Sequence, residues 1–176
     1  HKDMTTPAED YFTGLNSTAE QLTATWAWND ELPDATNIVV SNNAQNNGSG
    51  TPIFGHCFTG IKGFSKFGFY DGNGNADGPF IYTGFRPAYV LFKQRNVARD
   101  WVILDNKRVG YNPVINQLQT NSAGAETTDN SPVDFLSNGF KLNTTKTWYN
   151  ASAAYLYMAF AEFPIVSSND VPVVAR

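Results

Sequence analysis

Between Phe67 and Phe160 every apolar run is short, and Gly, Asn or Pro separates it from the next. This punctuation constrains the fold more than any other feature, because long amphipathic helices have no room in it. The run 67–70 reads as a strand. Asp71-Gly72-Asn73-Gly74-Asn75-Ala76-Asp77-Gly78-Pro79 must turn tightly, since Gly and Asn tolerate positive φ and Pro cannot continue a ladder. Strands are expected at 80–85, 88–93 and 101–105, with a turn at Arg86-Pro87. Further strands are expected at 133–136, 140–142 and 153–160, with Ser137-Asn138-Gly139 as a hairpin turn. The pattern predicts an all-β fold, a β-sandwich of jelly-roll type. The runs 88–92 and 155–160 are apolar on successive positions, so both faces of each should be buried. Residues 18–28 are the one modest helix candidate.

A second pattern bears on domain organisation. Leu15-Asn16-Ser17-Thr18-Ala19-Glu20 is echoed by Gln119-Thr120-Asn121-Ser122-Ala123-Gly124-Ala125-Glu126. Each is followed by a short apolar run (38–40; 140–142), an Asn-x-Ser turn (Asn47-Gly48-Ser49; Asn150-Ala151-Ser152) and an apolar stretch ending in Phe (53–58; 155–160). The copies lie roughly 100 residues apart, the size of a small domain. The expected organisation is a partial β-rich repeat over 1–62, a β-sandwich over 63–166 and a C-terminal tail over 167–176. Residues 11–58 should then superpose on 111–160, and the chain should start inside a repeat of a longer modular protein. Chance similarity between two polar stretches is the alternative. Residues 1–14 are polar and read as a linker.

Composition narrows the function classes. Only 16% of residues are charged and 14% are aromatic, the rest leaning to Asn, Thr, Ser and Gly. That balance suits an extracellular or virion β-protein better than a cytosolic enzyme. A net charge of −4 argues against general nucleic-acid binding. No apolar stretch is long enough for a transmembrane helix, and membrane insertion is not expected. Cys57 is the sole cysteine, so no intrachain disulfide can form, and its place in an apolar run predicts a buried thiol. The first part of the chain is acidic (Asp3, Glu9, Asp10, Glu20, Asp30, Glu31, Asp34) and the middle basic (Arg86, Lys93, Arg95, Arg99, Lys107, Arg108). The two are read either as ordinary solvated faces or as complementary surfaces of neighbouring copies.

The run from Gly68-Phe69-Tyr70-Asp71-Gly72-Asn73-Gly74 through Gly84-Phe85-Arg86-Pro87-Ala88-Tyr89-Val90 is distinctive. So are Asp134-Phe135-Leu136-Ser137-Asn138-Gly139-Phe140-Lys141-Leu142 and Tyr157-Met158-Ala159-Phe160-Ala161-Glu162. Together they resemble a repeat domain of unknown function found in tail-fibre-like and other virion structural proteins of mostly marine tailed bacteriophages. The resemblance covers roughly 67–164, with 11–58 similar to the back half of a related repeat. Where the family pattern carries Thr this chain has Asp71, so any role of Asp71 is its own. The resemblance implies a virion component: a tail-fibre or receptor-binding module attaching to a host-surface glycan or protein. Capsid decoration, or a polysaccharide depolymerase, are the alternatives. It implies partners among other virion proteins and further copies of the chain, a homotrimer by expectation. It supplies no catalytic residues and no cofactor.

Asp71, Asn73, Asn75 and Asp77 place oxygens at alternate positions, as calcium loops do, but Ala76 and Tyr82 stand where an EF-hand needs Gly and Glu. A structural turn is the expectation. His56 and Cys57 are neighbours in an expected strand and would face opposite ways, which excludes a dyad. Asp105, Glu126, Asp134 and Glu162 are the carboxylates from which a glycosidase pair would have to come. Trp26, Trp28, Trp101 and Trp148 are candidates for stacking on sugars, though tryptophan is more often core.

Overall fold

The structure, a computed structural model, describes residues 4–5 and 7–164, with 129–132 by backbone alone; His1 and the tail expected at 167–176 lie outside these. Two short strands, β1 (Tyr11–Phe12) and β2 (Leu22–Thr23), pair antiparallel near the start, and one helical turn, α1, spans Ala44–Asn47. The remaining strands are β3 (Ser65–Asp71), β4 (Phe80–Tyr82), β5 (Pro87–Gln94), β6 (Val102–Asp105), β7 (Val114–Gln119), β8 (Thr127–Leu136), β9 (Gly139–Leu142) and β10 (Ala154–Ala161). They form one antiparallel sheet in the order β3-β10-β5-β6-β7-β8-β9-β4. The sheet curls until β3 and β4, its two edges, face each other without pairing. The fold is all-β, and the layers of the sandwich are opposite walls of this one nearly closed sheet.

Period-two alternation sorts the side chains. Val90 and Phe92 of β5, Val102 and Leu104 of β6, Phe140 and Leu142 of β9, and Tyr155, Tyr157 and Ala159 of β10 all point into one core. Aromatic rings fill it. Tyr70 stacks on Tyr155 with centroids 5.1 Å apart, and Phe92 meets Phe140 and Tyr149 edge-on at 5.5 Å. Burying tyrosines this way requires partners for their hydroxyls. Tyr70 donates to the Tyr149 carbonyl at 2.7 Å, Tyr149 to the Gln117 side chain, and Tyr155 to the Thr147 carbonyl at 2.5 Å. Burial pushes the Tyr70 and Tyr155 phenols above their ordinary pKa.

The outer face of β5 and β10 is covered too, as their two-sided apolar pattern requires: Leu91 and Leu156 are buried alongside the inward Phe92 and Tyr157. Residues 14–21 run along this region. Trp101 donates its indole N–H to the Gly14 carbonyl at 2.8 Å, and the Arg99 amide donates to the Thr18 carbonyl at 2.8 Å. The Gln21 amide donates to the Arg95 carbonyl at 2.9 Å. Lys93 is fully buried beneath, its ammonium bonding the carbonyls of Thr18 at 2.9 Å and Arg99 at 2.5 Å. The acidic front and the basic middle thus meet within one chain.

Several expectations fail. Residues 18–28 hold β2 and turns rather than a helix, since Thr18, Thr23 and Thr25 favour extended backbone and no apolar stripe supports a helix. The runs 38–40 and 53–58 form no strand and pair with no neighbour, although β3 and β4 each keep an unpaired edge. Residues 51–62 are exposed throughout, and Cys57 is exposed with them. Residues 11–58 carry two two-residue strands and α1, whereas 111–160 carry β7, β8, β9 and β10, so the strand order of the expected superposition is absent. Residues 1–14 are more than a linker: Met4 is buried and Tyr11–Phe12 is β1. The strand expected at 80–85 stops at Tyr82. Strand β7 was not foreseen. Its inward Gln117 and a register shift between Val114 and Asn116 blur the alternation that identifies a strand.

Candidate functional site

The seam between β3 and β4 exists because the loop joining them is pulled elsewhere. Asn150, fully buried, receives the Asn73 amide on its side-chain oxygen at 2.8 Å. Its Nδ2 donates to Asn73 Oδ1 at 3.0 Å, the Asn75 carbonyl at 2.8 Å and the Thr144 carbonyl at 2.8 Å. The amides of Gly72, Gly74 and Gly78 donate to the carbonyls of Ala153, Asn150 and Leu142. A β-carbon on Gly72 would lie 2.0 Å from the Ala151 carbonyl oxygen, and one on Gly78 2.5 Å from that of Leu142, so only glycine permits the approach. Lys141 closes the far side with an ion pair to Asp77 at 2.5 Å, which holds the Asp77 carboxyl below its ordinary pKa. The oxygens that a calcium loop would offer are thus bound within the chain at Asn73 and Asp77.

Pinned this way, β3 and β4 flank a groove of about 410 Å³. Ile81 points into the core, while Phe80 and Tyr82 point outward across the groove from the exposed Phe69. Gly68 forms part of the floor: a β-carbon there would come within 3.0 Å of the Tyr157 ring. Lys66 spans one end, its ammonium 2.7 Å from the Tyr82 carbonyl and 5.1 Å from the centroid of the Tyr82 ring. A second chamber of about 630 Å³ shares Lys66 and Tyr82 and continues past Lys62, Gly84 and Asn138.

The four carboxylates do not assemble a hydrolytic pair. Asp105 and Glu126 do come together, but on Arg108, at 2.6 and 2.8 Å. The guanidinium fills the space that a glycosidic oxygen and a water need between two catalytic acids. Its own burial opposes the charge, yet the bonds to Glu126 and Asp105 outweigh that and raise its pKa. Asp134 binds the Asn143 amide at 2.8 Å, and Glu162 pairs with Arg86 at 2.9 Å. Among the described residues no three of His, Cys, Asp and Glu gather as a metal site. His56 packs edge-on against Phe54 at 4.7 Å, away from the groove. No tryptophan lines the groove: Trp101 is buried, Trp28 donates to the Tyr11 carbonyl, Trp26 packs on Phe12, and Trp148 lies against the core.

Phe69, Phe80, Tyr82 and Lys66 were not singled out from sequence. Exposure is decided by where the sheet fails to close, and the only local hint is a three-residue strand between Pro79 and Gly84.

Fold and site define an all-β barrel-like domain with an aromatic surface groove. The sequence matches the family model of a domain of unknown function, DUF7483, over residues 1–164, and the chain belongs to that family. No curated protein and no solved structure matches it.

Proposed function

We propose that this domain is an adhesive structural module of a bacteriophage virion, a tail-fibre or receptor-binding unit that attaches to a glycan or protein of the host surface. The observation that carries the reading is the groove, where three exposed aromatic rings and a lysine border the one open seam of an otherwise paired sheet. Rings held on strands lose little freedom when they bind, which suits recognition without chemistry. The resemblance of the long motifs at 68–93, 134–142 and 157–162 to virion repeat domains supplies the context. Several copies on a fibre, a homotrimer in this reading, would turn weak single contacts into firm attachment. The exposed Phe58, packed against Phe67 and Phe160, and the exposed Phe54 offer apolar surface for such packing.

The test is location. Gold-labelled antibodies against the domain, applied to purified virions, should decorate the tail. Label on the shell would make it a capsid decoration protein, and unlabelled virions would overturn the reading. Sedimentation at micromolar concentration tests assembly, where a monodisperse monomer would remove the trimer.

A further inference from the structure

We infer that the seam groove binds an acidic oligosaccharide, one whose sugar units carry carboxylates. The inference rests on the adhesive reading and specifies its ligand. Across both chambers the only charged side chains are Lys62 and Lys66, on a chain whose net charge is −4. Among the described residues neither lysine meets a carboxylate, although Lys141 on β9, the strand paired with β4, is neutralised by Asp77. A cationic pair without an acidic partner on an acidic protein is a complement to an anion. Phe69, Phe80 and Tyr82, respectively 54%, 44% and 58% exposed, present flat faces on both banks of the groove. Rings so placed fit the apolar faces of pyranoses, with the lysines left for their carboxylates.

An added peptide strand is the other occupant that open sheet edges invite. The groove is built against it: β4 offers only three residues, and Lys66 reaches across the channel to the Tyr82 carbonyl, occupying an edge acceptor.

The experiment titrates the full chain with tetragalacturonic acid, by calorimetry and amide NMR, with the methyl-esterified tetrasaccharide as the uncharged control. The free acid should bind at least about tenfold more tightly than the ester, and its affinity should fall as salt is raised. Perturbed amides should cluster at 66–70 and 80–84. Replacing both lysines (Lys62→Met with Lys66→Met) should abolish the preference for the acid over the ester, and Tyr82→Ala should weaken both ligands. Melting curves identify any variant that misfolds, and the wild-type comparison of acid and ester does not depend on variants. Equal binding of acid and ester would overturn the charge assignment and leave adhesion standing. No binding of the acid at about 10 mM, or shifts confined to another surface, would overturn the site. The adhesive reading is decided separately, by virion labelling.

Discussion

The strands from β3 to β10 and the segment that precedes them use similar residues to different ends. Between 65 and 161, apolar side chains fall on alternate positions and converge on one core, where Val90, Phe92, Phe140 and Tyr155 have no exposed surface. Between 31 and 62, Leu32, Ile38, Ile53, Phe54 and Phe58 are all exposed, Phe54 by 86%. Hydrophobic content alone does not account for the difference. Pairing also separates them: a strand buries its apolar residues only if a neighbour fixes which way they point. The earlier part of the front, 14–21, is instead held to the barrel largely through its own carbonyls, which accept from Trp101, Lys93 and Arg99.

The largest expected effect tests that contrast directly. Phe140→Ala removes a ring packed on Phe92, Tyr70 and Tyr157 and should cost about 3–5 kcal/mol in urea denaturation. Phe54→Ala, the same chemical change in the front segment, should stay within about 0.5 kcal/mol. Equal costs would break the comparison.

Next comes the residue that keeps the seam open. Asn150→Ala would strip the loop at 71–79 of its buried partner and orphan the Asn75 and Thr144 carbonyls. A loss of about 2–3 kcal/mol is expected, with faster hydrogen exchange at Gly72 and Gly74. A wild-type melting curve would show that the glycines alone hold the loop.

Legibility in the sequence follows the same division. Strands β3, β5, β6, β9 and β10 could be read because their alternation and turn residues agree. The double burial of β5 and β10 could be read from their apolar runs. Gly139 was read for the right turn and the wrong reason: the loop residues are Ser137 and Asn138, and glycine is needed because a β-carbon would sit 2.2 Å from the Ile81 carbonyl oxygen. The front segment misled because Ile38-Val39-Val40 and the run at 53–58 have strand composition but pair with no neighbour. The groove was illegible for a related reason. Closure of a barrel depends on the summed curvature and register of eight strands, and no short motif encodes it. The pairing of Asp105 with Glu126 was within reach as two acids, but not the arginine between them.

Lys93 sits where the two regions join, and it sharpens the comparison through pH. Burial lowers its pKa from 10.5 to about 8, against the opposing pull of Asp100 and Glu20. The folded value lies below the unfolded one, so between these pH values the unfolded chain binds more protons. Stability from this group therefore rises as pH climbs from about 8 toward 10.5. Lys93→Met should remove that slope while taking the ammonium donor from the Arg99 carbonyl and leaving the Thr18 carbonyl only the Arg99 amide. Denaturation of both proteins between pH 7 and 9.5 reads the difference while the buried tyrosines stay protonated. Parallel curves would mean that the ammonium is not desolvated at the junction.

The smallest effect lies wholly in the front segment. Asp34 accepts from the amides of Thr36 and Asn37, each at 2.6 Å, and from their side chains, which lowers its pKa to about 2. A depressed carboxyl supports its turn above the ordinary value of 3.8 and withdraws that support as pH falls through about 2. The side chain is exposed and lies far along the chain from the barrel strands, so the consequence should stay local. Asp34→Ala should shift the amide resonances of Thr36 and Asn37 and leave the melting temperature unchanged, whereas Asp34→Asn keeps an accepting oxygen and should preserve most of the turn. A carboxyl-carbon titration placing the midpoint near 3.8 would show that the turn is not formed in solution. A fall in melting temperature with Asp34→Ala would show instead that the front segment and the barrel unfold as one unit, and the contrast between them would then be one of packing alone.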